Sequence, residues 1–347
     1  MIKLSPIETL DACRRGQASY WSAIASIAGN SFSVECNEPS FFDGFFIAFG
    51  GTVPSQTPAD RAASLSATIH VPDGDTAGLL RLFKSGQPEP AEAFFFGLTF
   101  EDSPYESRPS GSGWTSVFLR GESEPRFMFR GNDCLFSRAD WRTDVLTLLY
   151  RGALRLCGDL IFFHASALSV HGRGVMLVGR TKSGKSTTAL ALVARGHPML
   201  ADSCASYKPS TGELLAFRRP VGIREGPKSK AVADALASRS PRSMMADDSV
   251  RVEVKSLLPS TGAGAAAVGV DSIFFLRGFA AETQLQRIHG GRSELANLQP
   301  IYSSFVDTPH TQRTFELIQL LSRARLYALR PGDPDDAARH IEEAVLS

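Results

Sequence analysis

A short glycine-rich segment contains the residue types and spacing most specific for chemistry. Within "MLVGRTKSGKSTTALALVARG", residues 176–196, the order of Gly179, Gly184, Lys185 and Ser186 matches the phosphate-loop pattern. Glycines let successive backbone N–H groups turn inward, and the N-terminus of the following helix adds partial positive charge. An apolar run before the loop and a helix-like run after it are the context that the pattern requires. The segment therefore predicts a polyphosphate-binding turn.

The spacing also assigns roles inside this loop. Lys185 is suited to bridge the β- and γ-phosphates of a nucleotide, and the Ser186 hydroxyl is suited to hold Mg²⁺. Arg180 and Lys182 add two positive charges, which either strengthen polyphosphate binding or face solvent. We predict that ATP and Mg²⁺ are the cofactors. The predicted nucleotide contacts are Gly179, Arg180, Thr181, Lys182, Ser183, Gly184, Lys185, Ser186 and Thr187.

A phosphate loop needs a nearby carboxylate to order the metal. Asp271 precedes the apolar run "SIFFL", which puts it at the wrong end of a strand, and neither "LSGGQ" nor "NKxD" occurs. Asp202 is the better candidate, because it ends the short apolar run in "GHPMLADSCASY" soon after the loop helix. If that run is a strand parallel to "VMLV", Asp202 lies beside the loop. We predict that Asp202, together with Ser186, holds the metal.

At this point the chain resembles a family. The stretch "FFHASALSVHGRGVMLVGRTKSGKSTTALALVARGHPMLADSCASY" is similar to the catalytic core of HPr kinase/phosphorylase and its relatives, which include kinases of lasso-peptide biosynthesis and have a fold related to phosphoenolpyruvate carboxykinase. The resemblance is specific from His164 to Tyr207 and absent in the first 140 residues. It implies that Asp202 acts as catalytic base and metal contact and that His164 lies near the transferred phosphoryl group.

The chain departs from the family at the second acid, where it has Ser203. A serine neither abstracts a proton at pH 7 nor holds Mg²⁺ with a charge. Either Asp202 does both jobs, or Asp247 or Asp248 approaches, or catalysis is weakened. The catalytic residues that the resemblance and the loop together predict are Asp202, His164 and Lys185.

Further cations and histidines lie near these motifs in the sequence. Arginine matches phosphate oxygens in bidentate geometry, so one member of a cationic group is expected to contact nucleotide or an acidic substrate, while at least two are expected to face solvent. That group is Arg218, Arg219, Arg224 and Lys228. Arg277 is a weaker candidate of the same kind. We expect His171 to face solvent in a hairpin turn and His197 to be a local packing residue.

Several elements follow from hydrophobic periodicity. A hairpin is predicted with Val117–Leu119 facing Phe127–Phe129, and the run "FFDGFFIAFGGTVP" is expected to form one or two strands. A connecting helix is expected to start with Ser137 as its N-cap. Two closing helices are predicted, Thr311–Ala324 and Pro334–Leu346.

These elements predict an α/β protein of two domains. A P-loop core of the HPr kinase/phosphoenolpyruvate carboxykinase type is expected over residues 141–347. A smaller α+β domain, with a possible role in acceptor binding, is expected over residues 1–140. The length of 347 residues and the 43% hydrophobic content are sufficient for both cores.

Composition limits the partners and the compartment. The formal net charge of +1 gives no general attraction to nucleic acid or to a membrane. Five scattered cysteines without C-x-x-C spacing are typical of free thiols in a reducing cytoplasm. The apolar runs are too short to span a bilayer. We predict a soluble cytoplasmic protein.

The function that best fits these features is an ATP-dependent kinase. The γ-phosphoryl group would pass to a hydroxyl, in first place a serine of a peptide or protein, without phosphorylase activity. One alternative is a small-molecule kinase of the same fold. Another is a catalytically degenerate nucleotide-binding regulatory protein, which Ser203 favours. The family's relatives assemble into oligomers, which leaves a homo-oligomer open.

Overall fold

The structure of the chain is a computed structural model. It describes the backbone of residues 19–50, 54–56, 63–72, 77–90, 105–137, 140–157, 160–224, 243–246, 249–252, 266–298, 300–303 and 310–347.

The chain divides into two compact units, each with its own sheet. The first comprises Met1–Ser26 and Asn30–Cys157, and the second comprises Ile27–Gly29 and Gly158–Ser347. This division falls 17 residues after the expected boundary at residue 140, since the connecting helix belongs to the first unit. Both units mix helices with sheets, in agreement with the expected α/β class.

The first unit contains a sheet of nine strands within the described residues. The strands pair in the order β1-β2-β3-β4-β9-β8-β7-β6, with β5 added beside β4, and the β2–β3 pair is parallel. Their bounds are β1 (Trp21–Ile27), β2 (Asn30–Cys36), β3 (Leu65–His70), β4 (Ala77–Lys84), β5 (Gln87–Glu89), β6 (Tyr105–Ser110), β7 (Trp114–Leu119), β8 (Phe127–Arg130) and β9 (Asp133–Ser137).

The predicted hairpin of the first unit is confirmed, and its register is shifted. β7 and β8 are antiparallel, with Val117 opposite Phe127 and Thr115 opposite Phe129, so Leu119 lies beyond the paired residues. Ser137 ends β9 instead of capping a helix. The connecting helix α2 begins at Trp141 with Asp140 at its N-cap.

The prediction of strands in "FFDGFFIAFGGTVP" was wrong. The first nine residues of this run form helix α1 (Phe41–Phe49). The next α-helix of the described chain is the connecting helix α2 (Trp141–Leu156). Phe41, Phe45 and Phe49 recur every four residues, so their rings share one face of the helix and are all buried. Phe41 also stacks on Trp141, with ring centroids 5.9 Å apart. Burial of this aromatic face, about 1.5–3 kcal/mol per ring, outweighs the strand propensity of phenylalanine.

The second unit carries a sheet of ten strands and a small three-stranded sheet within the described residues. The strands are β10 (Ile161–Phe163), β11 (Ala165–Val170), β12 (Arg173–Val178), β13 (Met199–Ala201), β14 (Ala205–Lys208), β15 (Glu213–Leu215), β16 (Val221–Arg224), β17 (Ser243–Ala246), β18 (Ser249–Val252), β19 (Ala267–Leu276), β20 (Gln284–Ile288), β21 (Pro300–Ser303) and β22 (Arg325–Arg330). The helices are α3 (Lys185–Ala194), α4 (Arg292–Asn297), α5 (His310–Arg323) and α6 (Pro334–Leu346).

Strand order in the larger sheet determines what meets at its ends. The order is β13-β11-β12-β19-β15-β14-β10-β21, with β22 beside β19 and β20 beside β22. β12 is antiparallel to β11 and parallel to β19. The runs "ASALSV" and "VMLV" are paired as a hairpin, and His171 lies in its turn as expected, while "IFF" is a separate strand, β10, that pairs with β14.

Helix α3 is held by a continuous apolar core. Leu190, Leu192 and Val193 are buried against residues of β11 and β12 and against Ile341 and Val345 of α6. Replacement of a buried leucine such as Leu192 by alanine costs about 2–5 kcal/mol, because the cavity remains partly open. The start of α3, and therefore the loop before it, is fixed by this core.

Both predicted closing helices are confirmed. The first begins at His310 and ends at Arg323, within one residue of the prediction, and the second has the predicted bounds. Asp333 caps α6, because its carboxylate accepts hydrogen bonds from the backbone N–H groups of Asp335 and Asp336. Among the helices of the described residues, none combines the length and the apolar character needed to cross a membrane.

Candidate functional site

Strand directions bring three chain segments to one end of the larger sheet. β11 is antiparallel to both β12 and β13, so β12 and β13 run in the same direction with β11 between them. The expected common direction of the two strands is therefore confirmed, although they are not neighbours. The C-terminal ends of β12 and β13 and the start of β11 meet here, and we call this the loop end of the sheet.

The glycine-rich loop connects β12 to α3 at the loop end. Gly184 forms the N-cap of α3 with φ 95° and ψ 5°, a left-handed conformation that a side chain strains. A Cβ atom there would also lie 3.1 Å from the ring of Phe279. The backbone N–H of Thr188 donates to the Gly184 carbonyl at 2.9 Å, which starts the helix. The strand, loop and helix predicted for a phosphate site are thus present in that order.

Lys185 lies under this loop. Only 6% of it is exposed, and its Nζ donates to the carbonyl oxygens of Gly179 at 2.8 Å and Arg180 at 2.9 Å. Burial lowers the pKa of Lys185, and the Asp202 carboxylate opposes that shift. The ammonium group is therefore within reach of the loop interior and has only neutral carbonyl partners among the described residues.

Asp202 is the focus of a hydroxyl cluster. Its Oδ1 accepts from Ser166 at 2.5 Å, and both carboxylate oxygens lie 3.0 Å from the Ser186 Oγ. Ser203 donates to Oδ2 at 3.1 Å. The carboxylate is 4% exposed, and no ion pair to it is found among the described residues. The two predicted metal ligands are therefore in direct contact.

Ser203 has an unusual backbone conformation. Its φ is 61°, in the left-handed region, where aspartate and asparagine are more readily tolerated than most residues. The backbone at this position would thus accept the second acid of the resembled family. In this chain the Ser203 hydroxyl donates to Asp202 and adds no charge.

His164 lies immediately before β11 at the loop end and is exposed. Desolvation and then the positive charge of Lys185 lower its pKa below the ordinary value of 6.5. A hydrogen bond with the Ser203 backbone and the Asp202 carboxylate oppose this shift, while the charge of Arg219 adds to it. The imidazole is therefore neutral at pH 7, next to the predicted catalytic residues.

The loop has an unsatisfied polar atom that fits a phosphate group. The Ser183 Oγ is buried and has no hydrogen-bond partner within the described part of the chain. A buried hydroxyl without a partner is costly, and a phosphate oxygen would accept a hydrogen bond from it. Arg180, Thr181 and Lys182 are exposed around the loop, and Thr187 is half-buried at the first turn of α3. The residues present therefore suit a polyphosphate together with Mg²⁺, whose preferred ligands are oxygens.

The outlying cations have different surroundings. Arg218 donates to the Met199 carbonyl at 3.1 Å, and burial lowers its pKa. Arg277 forms an ion pair with the buried Glu294, so it is not free for phosphate. Arg224 lies at the end of β16. Three residues of the sequence-based prediction lie outside the described residues, namely Lys228, Asp247 and Asp248.

Two residues at the loop end were missed by sequence reasoning. Ser166 is a fully buried hydroxyl in the largely apolar strand β11, and its position in an apolar run was the available signal for a polar partner. Phe279 follows β19 and is 53% exposed beside Gly184. No pattern in the sequence indicates that Phe279 lies beside the loop, because its position there depends on the pairing of β19 with β12.

The opposite end of the sheet carries the His171–Gly172 turn between β11 and β12, and we call it the turn end. Asp271 lies near this end, since its neighbour Val270 pairs with Gly174. It forms an ion pair with Arg325 at 2.5 Å. The sequence-based exclusion of Asp271 as the metal carboxylate agrees with this position.

Comparison with known proteins gives a match over the same segment. Residues 158–225 match the family model described as HPr Serine kinase C-terminal domain. An HPr kinase/phosphorylase of Bacillus pumilus is 40% identical over 57 residues, which are 16% of this chain and 18% of that protein. One of Caldicellulosiruptor bescii is 38% identical over 61 residues, 18% of this chain and 20% of that protein.

The matched segment thus spans no more than 20% of the length of these relatives. Among solved structures, the Hpr(Ser) kinase/phosphatase from Coxiella burnetii matches at a TM-score of 0.28 with 17% identity, covering 53% of this chain and 93% of that chain. The overall structural likeness is weak at that score.

Proposed function

We propose that the chain is an ATP-dependent kinase, a proposal supported by the match of residues 158–225 to the HPr Serine kinase C-terminal domain. It transfers the γ-phosphoryl group to a hydroxyl, and the acceptor is a serine of a peptide or protein. The observation that carries the proposal is the direct contact of Ser186, from the glycine-rich loop, with the buried carboxylate of Asp202. Two polar groups from segments 16 residues apart meet where phosphate and metal would lie.

In the proposed reaction, the acceptor oxygen forms a bond to the γ-phosphorus as the bond to the β–γ bridging oxygen breaks, and ADP leaves. Asp202 takes the proton of the acceptor hydroxyl. Lys185 turns from the carbonyl oxygens of Gly179 and Arg180 toward the phosphates and stabilises their charge. Neutral His164 orients the groups around the acceptor. Mg²⁺, when bound, neutralises phosphate charge, and Ser186 and Asp202 would hold it.

The role of the first unit follows from this assignment by position alone. We propose that it contributes acceptor recognition, because every residue proposed for the chemistry belongs to the second unit. We further propose that the protein works in the cytoplasm. Cys36, Cys134, Cys157 and Cys204 are free thiols buried in the structure, and burial raises the pKa of Cys36 to about 12, which keeps this thiol unreactive.

The test uses the full-length chain with γ-labelled ATP, Mg²⁺ and peptides encoded beside its gene. Mass spectrometry should find a peptide heavier by one phosphoryl group, and Lys185→Ala should abolish this product. Arg287→Ala is the matched control, because it removes an exposed cation on β20 away from the loop. Transfer to small hydroxyl compounds instead of peptides would indicate a small-molecule kinase of the same fold.

Ser203 favours a second function. Since its hydroxyl donates to Asp202 in place of a second charge, the chain also fits a nucleotide-binding regulatory protein. Tight ATP binding with no labelled product across both acceptor classes would support that function. Ser203→Asp distinguishes the two, because its backbone conformation accepts aspartate. A gain of transfer in this variant would mean that the serine limits catalysis.

A further inference from the structure

Three potential metal ligands meet at the turn end of the sheet, away from the glycine-rich loop. His171, His197 and Glu342 each offer one ligating atom, and these atoms all lie within 4.8 Å of one another. We propose that this cluster binds a divalent transition-metal ion of the zinc class. The proposal does not depend on the proposed kinase function.

His171 occupies a position that normally selects other residues. It is the first residue of the two-residue turn between β11 and β12, with φ 50°, and Gly172 follows with φ 78°. Such turns favour asparagine or glycine, because both central residues have positive φ. The imidazole is exposed, and its centroid lies 4.8 Å from that of His197 in an edge-to-face arrangement. A histidine here is therefore not required by the turn and is directed at a second histidine.

His197 and Glu342 already form the other half of the cluster. His197 follows the end of α3, where its backbone N–H donates to the Leu192 carbonyl at 3.1 Å. Its Nε2 lies 2.6 Å from Oε1 of Glu342, which projects from α6. Both side chains are largely buried. Helices α3 and α6, which these two ligands adjoin, share one apolar core. A bound ion would take the place of the proton in the hydrogen bond between His197 and Glu342, with a small separation of the two atoms, while the exposed His171 moves to close the site.

Charge at the cluster is compatible with a bound cation. Arg195 donates to both carboxylate oxygens of Glu342 at 2.8–3.0 Å and to Asp335 at 3.0 Å. One guanidinium therefore meets two carboxylates, which leaves the group net negative. A carboxylate offers about four lone-pair positions, so Arg195 and a metal ion can share Glu342. Arg195 then orients the carboxylate, as the hydrogen-bond partners of metal ligands commonly do.

The ligand types select the class of metal. Two imidazoles and one carboxylate are typical of zinc sites with an open fourth position, which water fills. Mg²⁺ prefers oxygen ligands and a near-ideal octahedron, so it is disfavoured here. The three ligands come from the β11–β12 turn, the segment after α3, and α6. A bound ion would therefore link the C-terminal end of α3 to the β11–β12 turn and to α6.

The experiment titrates metal-stripped full-length protein with Zn²⁺ by calorimetry, and with Co²⁺ by visible absorption, in the absence of nucleotide. We expect one Zn²⁺ per chain at this cluster, and a loss of at least roughly tenfold in affinity in His171→Asn. Asparagine suits the turn and is not a usual zinc ligand, so this variant should fold. His289→Asn is the matched control, since His289 is exposed outside the cluster and should leave binding unchanged.

Two further variants make the result decisive. His197→Gln removes a second ligand and should weaken binding as His171→Asn does. Asp202→Asn should leave the Zn²⁺ affinity of the cluster unchanged, because it lies at the loop end. The proposal is overturned if the wild-type protein takes up no Zn²⁺, if His171→Asn and His197→Gln bind as the wild type does, or if only Asp202→Asn loses binding.

Discussion

The carboxylates at the two ends of the larger sheet in the second unit have different hydrogen-bond partners. At the loop end, Asp202 accepts hydrogen bonds from three serine hydroxyls, and no cation pairs with it among the described residues. At the turn end, Glu342 and Asp271 are paired with Arg195 and Arg325. Hydrogen bonds from Arg195 and His197 lower the pKa of Glu342, with the Arg195 contribution the larger.

This difference indicates which cation each end suits. Hydroxyl donors orient a carboxylate and leave its charge available, so the loop end fits a hard ion held by oxygens. Arg195 neutralises part of the charge around Glu342 at the turn end, so a metal ion there must gain much of its affinity from imidazole nitrogens. The two clusters lie at opposite ends of helix α3. Ser186 in its first turn contacts Asp202, a carboxylate bound by hydroxyls, and His197 after its last turn contacts Glu342, a carboxylate paired with arginine.

The strongest test of this comparison exchanges one carboxylate at each end. Asp202→Asn should reduce phosphoryl transfer by roughly 10²–10⁴-fold, the usual contribution of a general base. Asp271→Asn should retain transfer, because Asp271 lies near the turn end in an ion pair. Steady-state transfer assays on both variants measure the difference. Equal activity of the two would show that Asp202 is not the base.

A smaller effect is expected from the hydroxyl that positions Asp202. Ser166→Ala removes the 2.5 Å hydrogen bond to the carboxylate. Hydrogen bonds to charged groups contribute about 1.5–3 kcal/mol, so transfer should fall roughly ten- to hundredfold. Ser166→Thr restores the hydroxyl and should restore the rate. Ser169→Ala in the same strand serves as control, and an equal loss in that variant would mean general destabilisation.

Substitution of Phe279 tests whether the proposed nucleotide site at the loop end includes a surface for the nucleobase as well as for the phosphates. Its exposed ring beside Gly184 offers a surface for a nucleobase, and base–aromatic stacking contributes about 1–3 kcal/mol. Phe279→Ala should weaken ATP binding by about tenfold and leave tripolyphosphate binding unchanged. Calorimetry on both ligands distinguishes these effects. Phe315→Ala, which removes another exposed ring, is the control. A loss of tripolyphosphate binding would instead indicate a disturbed loop.

The smallest expected effect is the dependence of transfer on pH. Since the pKa of His164 is lowered from 6.5, its imidazole is neutral at pH 7 and protonates only as the pH falls further. Transfer should therefore be constant from pH 7 to 8 and decline on the acid side, with a midpoint below 6.5. In His164→Gln this acid decline should disappear while Asp202 still functions. A decline unchanged in the variant would belong to another group.

Local sequence patterns were sufficient for the elements with strong periodicity or fixed motif spacing. The glycine-rich loop, the β11–β12 hairpin and the bounds of α6 were all predicted, because each depends on residues close together in the chain. Helix α1 was missed, since phenylalanine favours strands and the four-residue spacing of Phe41, Phe45 and Phe49 was outweighed by that propensity. The boundary between the units was misplaced because α2 packs within the first unit.

What the sequence determined by itself is the phosphate-loop pattern and the strand–loop–helix order around it, since glycine, lysine and serine at fixed spacing lie in one local segment. Only the tertiary structure decided which groups surround it. Strand β11 between β12 and β13 places Ser166 on Asp202, and the packing of α6 on α3 brings Glu342 to His197, 145 residues away. Such contacts depend on strand order and core packing, which no local pattern encodes.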